Sequence, residues 1–477
     1  MLEYKKFYIN GGWVDPAKPS DFDVIDPSTE DVCAVISLGD QADTDAAVAA
    51  AKAAFPAWST TAPKERLDVL KAIASEHAKR EDDMAEAIRL EMGAPRDLAQ
   101  KSQMPSGTWH IDNFIKVLED FDYESAPWPD APTERVLKEP IGVCALITPW
   151  NWPMNQIALK VIPAIGVGCT SILKPSEIAP LSAQVFTEIC DAAGVPAGVF
   201  NLLNGDGVGV GSQLSAHADV DMVSFTGSTR AGRLITKAGA ETVKRVTLEL
   251  GGKGANIIFA DANEKAVVRG VRSCFNNTGQ SCNAPTRMLV ERSRYDQAVE
   301  EAISTAESTK VAESAESGRH IGPVVSEAQF NKIQGLIETG MKEARLVAGG
   351  LGRPDGLNRG YFVRPTVFAD VANDMTIAQE EVFGPVLAMI PFDTEEEAVA
   401  IANDTVYGLT NYIQTQDGER ATRVARQMRS GMVRINYNDT SVPSPFGGYK
   451  QSGNGREGGE WGLEDFLEVK HVTGWTN

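Results

Sequence analysis

The chain has 477 residues, too many for one ordinary hydrophobic core, so two or three packed domains are expected. Hydrophobic residues make up 43% and charged residues 23%, a balance that excludes a disordered chain. Acidic side chains outnumber basic ones 65 to 45, for a net charge of -20, and such a surface argues against nucleic acid as a partner.

Met1–Val14 has no apolar signal-peptide core, and the longest uncharged apolar run, Ile141–Trp150, is too short to cross a bilayer. The expectation is a cytoplasmic protein without a membrane partner. Residues 7–38 read as short strands, with Asn10-Gly11-Gly12 as a hairpin turn. Helices follow at Asp43–Phe55, at Lys64–His77 after Pro63, and at Glu81–Met92 with Gly93 as its C-terminal cap. From about residue 140 strands and helices alternate. Strands are expected at Val143–Thr148, Thr170–Lys174, Val199–Leu203 and Met222–Thr226, with helices at Ala158–Val167 and Ser182–Ala193. Such alternation predicts a parallel, doubly wound sheet that binds ligands where strands end and helices begin. A second α/β stretch has strands at Asn256–Phe259, Arg287–Val290 and Val386–Pro391, helices at Tyr295–Glu307 and Glu395–Asn403, and a last strand at Phe466–Val472. Two α/β lobes meeting near residue 250 are therefore expected.

Candidate chemistry lies at the ends of these elements. Pro149-Trp150-Asn151-Trp152-Pro153 is either a packed aromatic turn or a rigid mount for the Asn151 amide as an oxyanion donor. Lys174 and Glu177, in Lys174-Pro175-Ser176-Glu177, either end a strand in solvent or face a ribose. Phe225-Thr226-Gly227-Ser228-Thr229 joins a strand to a helix, where backbone N–H groups can hold a pyrophosphate. The glycines at 205, 207, 209 and 211 read only as a loop, and a GxGxxG fingerprint is absent. Glu249 stands in an apolar run, Val246-Thr247-Leu248-Glu249-Leu250. Burial would raise its pKa, as suits a general base, although a salt-bridged structural glutamate fits too. Cysteines occur at 33, 144, 169, 190, 274 and 282 without CxxC spacing, and the five histidines do not cluster near them, so neither disulfides nor a metal site are expected. Among them Cys282 has polar company, Thr278-Gly279-Gln280-Ser281. It is either a small buried residue or an exposed nucleophile.

Taken together and in this order, these motifs resemble the aldehyde dehydrogenase superfamily. The likeness runs from Phe7-Tyr8-Ile9-Asn10-Gly11 to Glu468-Val469-Lys470 and includes Leu248-Glu249-Leu250-Gly251-Gly252-Lys253, Glu381-Val382-Phe383-Gly384-Pro385 and Pro445-Phe446-Gly447-Gly448-Tyr449-Lys450. It implies an α/β fold with a Rossmann-like cofactor domain (1–120 and 140–249), an α/β catalytic domain (250–450) and a small β oligomerisation arm (121–139 and 451–477). The resemblance implies Cys282 as nucleophile, Glu249 as hydrolytic base, and Asn151 with the Cys282 N–H as oxyanion hole. Lys160 and Glu457 would form a proton relay. NAD, rather than NADP, would be held by Trp150, Lys174, Glu177, Gly227, Ser228, Glu381 and Phe383. Trp152, Leu159, Ser281, Asn283 and Phe446 would line the substrate tunnel. None of the matched tunnel positions is cationic, which predicts uncharged aldehydes over carboxylate-bearing semialdehydes. A homodimer or homotetramer is implied as well. Two alternatives stay open: a relative that passes the acyl group to CoA, which needs no Glu249, and a non-catalytic protein of the same fold, which needs none of Cys282, Glu249 and Asn151.

Overall fold

The computed structural model describes residues 1–438 and 444–476. The expected ranges 250–450 and 451–477 thus include positions, 439–443 and Asn477, that lie outside the described residues. Two large sheets organise the chain. In the first, five parallel strands run in the spatial order Arg245–Glu249, Met222–Thr226, Val143–Ile147, Thr170–Lys174, Phe200–Leu202. Val143–Ile147, Thr170–Lys174 and Met222–Thr226 are buried at every position, as central parallel strands covered on both faces must be. The hairpin Phe7–Ile9 with Gly12–Val14 extends one edge, and Gly453–Asn454 the other. Its turn has Asn10 at φ 55 and Gly11 at φ 76, the left-handed pair that a two-residue hairpin loop requires.

The chain passes outward from Val143–Ile147 to Phe200–Leu202, then returns to Met222–Thr226 on the other side of Val143–Ile147. This reversal opens a crevice at the strands' C-terminal ends. Two predicted turns leave those strands there: Pro149-Trp150-Asn151 and Gly227-Ser228. The second sheet orders Arg345–Ala348, Thr366–Ala369, Val386–Phe392, Arg287–Glu291, Ala255–Ile258, Thr410–Gln414 and Met432–Ile435, parallel except for its first pair. A third, antiparallel sheet joins Leu467–Thr473 to Glu134–Pro140 and Glu124–Ser125. Separate apolar clusters pack around the first and second sheets.

The expected elements are present, with ends displaced by a few residues. Helix Pro153–Val167 begins five residues before the expected start because Pro153 occupies the first turn, where no backbone N–H is required. Among the described residues, four helices of ten or more residues had no counterpart in the sequence reading: Met104–Glu119, Ala266–Phe275, Glu327–Glu343 and Gly418–Gln427. The first is masked by Pro105 and Gly107 and follows a π turn, Ala99–Gln103. Among the described residues no helix is long and apolar enough to cross a membrane.

Candidate active site

A cavity of about 440 Å³ lies where the C-terminal ends of the first sheet meet the segments leading into the second. Its wall holds Trp150, Asn151, Trp152, Leu159, Gly227, Ser228, Glu249, Ser281, Cys282, Asn283, Glu381, Phe383 and Phe446. Residues far apart in sequence are thereby brought to one space.

The turn before Cys282 is strained. Asn277, Thr278 and Gly279 have φ values of 51, 56 and 73. Non-glycine residues hold left-handed geometry only when their surroundings over-determine it, and here side chains do so. Asn277 Nδ2 donates to the Asn151 carbonyl at 2.9 Å, and Gln103 Nε2 donates to Asn277 Oδ1 at 2.9 Å. Thr278 Oγ1 donates to the Gly322 carbonyl at 3.1 Å, while Gln280 Oε1 accepts from Val325 N at 2.9 Å. A Cβ on Gly279 would collide with the Gly384 carbonyl. Asn151 Nδ2 donates to the Gln280 carbonyl at 2.9 Å. That bond uses one amide hydrogen and fixes the plane, so the second remains for a ligand oxygen. Trp152 Nε1 donates to Ser281 Oγ at 2.9 Å, and the Tyr412 hydroxyl donates to the Asn283 carbonyl at 2.8 Å. The half-buried Cys282 is therefore flanked by fixed groups on both sides.

Charge around the thiol opposes ionisation. Burial pushes the Cys282 pKa well above the thiol range, and the carboxylates of Glu381, Glu249 and Glu457 push it further, against a backbone N–H at Asn283. Glu249 ends strand Arg245–Glu249 with 5% of its surface exposed, and among the described residues neither carboxylate oxygen has a hydrogen-bond partner. Burial, then repulsion from Glu457, raises its pKa well above the usual carboxylate range, while Lys160 and Arg456 oppose that rise. A Cβ on Gly447 would stand 2.7 Å from Glu249 Oε1, so only glycine leaves room there.

Behind Glu249 is a void of about 10 Å³, room for about one water, lined also by Lys160, Ser224 and Glu457. Lys160 Nζ donates to Glu457 Oε1 at 2.6 Å and to Ser224 Oγ at 3.0 Å. The Glu457 backbone bonds that of Phe446 in both directions, at 2.7 and 2.8 Å, which ties this buried pair to the cavity wall.

At the other end of the cavity, Ser228 caps helix Thr229–Gly239 through Ala231 N, leaving the helix N-terminus facing the space. Glu381 Oε1 accepts from Gly252 N at 2.8 Å and packs against Gly251. Phe383, at φ 58, stands edge-to-face with Trp150, ring centres 5.3 Å apart. Lys174 and Glu177 lie at the end of strand Thr170–Lys174, outside this cavity wall. Lys174 Nζ donates to the Pro175 carbonyl at 2.8 Å and to Glu177 Oε2 at 3.4 Å.

The chain matches the aldehyde dehydrogenase family over residues 13–472. It belongs to that family. Its relatives include a 3-succinoylsemialdehyde-pyridine dehydrogenase from a Pseudomonas species, 51% identical over 100% of this chain and 99% of the relative. Among solved structures, an aldehyde dehydrogenase from Bartonella henselae is 58% identical, covers 100% of both chains and superposes with a TM-score of 0.99. Aldehyde dehydrogenase C from Pseudomonas syringae, solved as a cysteine-to-alanine mutant with NAD+ and octanal, is 48% identical over 99% of this chain and 97% of that one, with a TM-score of 0.97.

Sequence reasoning missed several residues of the cavity wall in this aldehyde dehydrogenase. Trp109 and His110 come from the unforeseen helix Met104–Glu119, Gln329 and Lys332 from Glu327–Glu343, and Met432 and Arg434 from strand Met432–Ile435. None of the matched tunnel positions is cationic, but Arg434 and Lys332, outside that set, also line the cavity. The strand that carries Arg434 has only four residues, too few for alternation to have marked it. Among the described residues no cluster of three metal-ligating side chains occurs.

Proposed function

We propose that this chain oxidises an aldehyde to the carboxylic acid with NAD, through a thiohemiacetal and then a thioester on Cys282. One observation carries the proposal: Cys282, the remaining N–H of Asn151 and the orphaned carboxyl of Glu249 line the same cavity. NAD fits its other end. The helix N-terminus at Gly227-Ser228 suits a pyrophosphate, the Glu381 carboxylate a ribose, and the Phe383 and Trp150 rings the nicotinamide. Lys174 and Glu177 would take the adenosine ribose, and NADP is disfavoured by the Glu177 charge. When bound, NAD supplies the hydride acceptor and the positive charge that the surroundings of Cys282 lack.

The chain's own residues account for the remaining steps. Cys282 Sγ attacks the aldehyde carbon, and the developing oxyanion accepts hydrogen bonds from Asn151 Nδ2 and the Cys282 N–H. One such donor lowers a barrier by roughly 3–4 kcal/mol. Glu249 then removes a proton from the water that attacks the thioester. Lys160 and Glu457, across the one-water void, would carry that proton onward. Trp152, Leu159, Ser281, Asn283 and Phe446 would hold the substrate chain.

The same proposal takes residues 1–120 and 140–249 as the cofactor domain, 250–450 as the catalytic domain, and 121–139 with 451–477 as an arm for a homodimer or homotetramer in the cytoplasm. Support for the arm comes from strand Leu467–Thr473, an edge of its sheet with Val469 exposed.

A panel of aldehydes with NAD, with and without CoA, tests the reading. NADH and free acid are expected irrespective of CoA. Acyl-CoA as the product would favour the acyl-transferring alternative, and no NADH with any aldehyde would overturn the proposal.

A further inference from the structure

Strand Met432–Ile435 lies at the edge of the second sheet. Its alternation turns Val433 and Ile435 onto the second core, and Met432 and Arg434 toward the cavity. Arg434 pairs in register with Tyr412, whose hydroxyl holds the carbonyl of Asn283, the residue after the proposed nucleophile. Arg434 thus neighbours Tyr412 and lines the same cavity as Cys282 and Phe446. Among the described residues its buried Nε has no hydrogen-bond partner, and no carboxylate forms an ion pair with it.

Of the other titratable groups on the cavity wall, Glu249 is a carboxyl unpartnered among the described residues, already assigned to the hydrolytic step, and the rest are committed or neutral. Glu381 accepts from Gly252 N, and Lys332 Nζ donates to the Glu381 carbonyl. His110 is neutral, burial holding its pKa near 3. A guanidinium with a buried, unmet N–H on a cavity wall is a strong, planar donor, suited to the oxygen of a ketone or to both oxygens of a carboxylate. Water can solvate such a group, but a substrate oxygen does so with selectivity.

We propose that Arg434 is a specificity-determining residue that binds a second oxygen function on the substrate, a ketone or carboxylate oxygen carried on the chain beyond the reacting aldehyde. The inference rests on the aldehyde-oxidising reading above. It revises the expectation of uncharged aldehydes over carboxylate-bearing semialdehydes to an oxygen-substituted aldehyde, one bearing a ketone or carboxylate, as the preferred class.

The test compares wild type with Arg434→Met and Arg434→Lys on three aldehydes of similar length: pentanal, 4-oxopentanal and 4-oxobutanoate. With NAD saturating, Arg434→Met should lose about 10- to 100-fold in kcat/KM, chiefly through KM, on one or both oxygen-bearing aldehydes. On pentanal it should stay within about twofold of wild type, since removing a donor costs little where there is no acceptor. Arg434→Lys, which keeps the charge but not the planar fork, should fall between. Loss on 4-oxobutanoate alone identifies a carboxylate as the ligand, whereas loss on 4-oxopentanal identifies a ketone. An equal loss on all three aldehydes, or none on any, overturns the assignment. Calorimetric binding of pentanoate, 4-oxopentanoate and succinate to the NAD-loaded protein reads the same preference without turnover. If wild type oxidises no aldehyde, the proposed function falls and binding alone decides the role of Arg434. A preference for the oxygen-bearing acids that Arg434→Met abolishes supports it, and equal binding of the three acids removes it.

Discussion

At the scale of single residues, Cys282, Glu249 and Glu177 make separable predictions. Cys282→Ala should abolish NADH formation while NAD still quenches tryptophan fluorescence. Turnover above a few per cent of wild type would exclude Cys282 as nucleophile. Glu249→Gln should release one equivalent of NADH and stall with an acyl adduct visible in the intact mass. An unchanged steady-state rate without adduct would leave Glu249 a structural role. The pH dependence follows from the raised Glu249 pKa. Only the ionised carboxylate accepts a proton, so thioester hydrolysis should rise with pH through that raised value. The same shift makes the native state bind more protons than the unfolded chain above the ordinary carboxylate pKa. This group therefore lowers stability as pH rises toward its folded value. Glu457→Gln removes the largest repelling charge and leaves Lys160 uncompensated, so the rising limb should move to lower pH. Breaking that buried pair should also cost roughly 3–5 kcal/mol, seen as a fall in melting temperature. A limb that stays in place would mean that Glu457 does not act on Glu249. The Glu177 carboxylate would accept from a ribose hydroxyl and repel a 2′-phosphate, so kcat/KM should favour NAD over NADP. Its ion pair with Lys174 moderates that preference, which Glu177→Gln should narrow.

At the scale of elements, the turn Asn276–Gly279 is the most constrained part of the site. Gly279 has a left-handed φ of 73 and lies against the Gly384 carbonyl. Gly279→Ala adds both a clash and a backbone penalty of roughly 1–2 kcal/mol. The turn would have to shift, and Cys282 would move away from the Asn151 amide. Expected results are a lower melting temperature and a kcat reduced at least about tenfold, because misplacement of the reacting atom is costly. Wild-type kcat in that variant would show that the turn tolerates displacement.

Across the whole molecule, the C-terminal strand connects the chain's end to the site. Arg245 Nη1 donates to the carbonyls of Asp465 and Leu467 at 2.9 and 2.7 Å, and its Nη2 donates to Glu468 Oε1 at 2.9 Å. Arg245 opens the strand that ends at Glu249. Within one chain the Arg456 guanidinium donates to the carbonyls of Gly448 and Gly455, whereas the resemblance would have it meet Glu468 across an interface. The Glu468 side chain is 56% exposed, so within one chain its ion pair is worth at most about 1 kcal/mol. Covered by a second copy, the pair would matter several-fold more. Glu468→Lys should therefore weaken NAD binding and turnover together and shift the elution volume in size-exclusion chromatography. Wild-type kinetics with an unchanged assembly would make Glu468 a solvated strand position.

What the sequence determined by itself is local. Buried parallel strands announce themselves as short apolar runs, so Thr170–Lys174 and Met222–Thr226 were legible to the residue. Turn chemistry marked Asn10-Gly11, Gly93 and Gly227-Ser228 because left-handed geometry or a capping hydroxyl demands those residue types. Ordered motifs around Cys282, Glu249 and Asn151 marked the family. Only the tertiary structure decided what the remaining positions face. Helix Met104–Glu119, with Pro105 and Gly107 against its propensity, holds because it packs on its neighbours, and it brings Trp109 and His110 to the cavity. Arg434 lies in a four-residue strand, too short for alternation to show which face meets solvent, core or cavity. That choice is made by the pairing of its strand with Thr410–Gln414, a contact between segments that local sequence does not encode. The raised carboxyl of Glu249 is tertiary in the same sense, since it depends on the burial, the Lys160–Glu457 pair and the absent side chain of Gly447 around it.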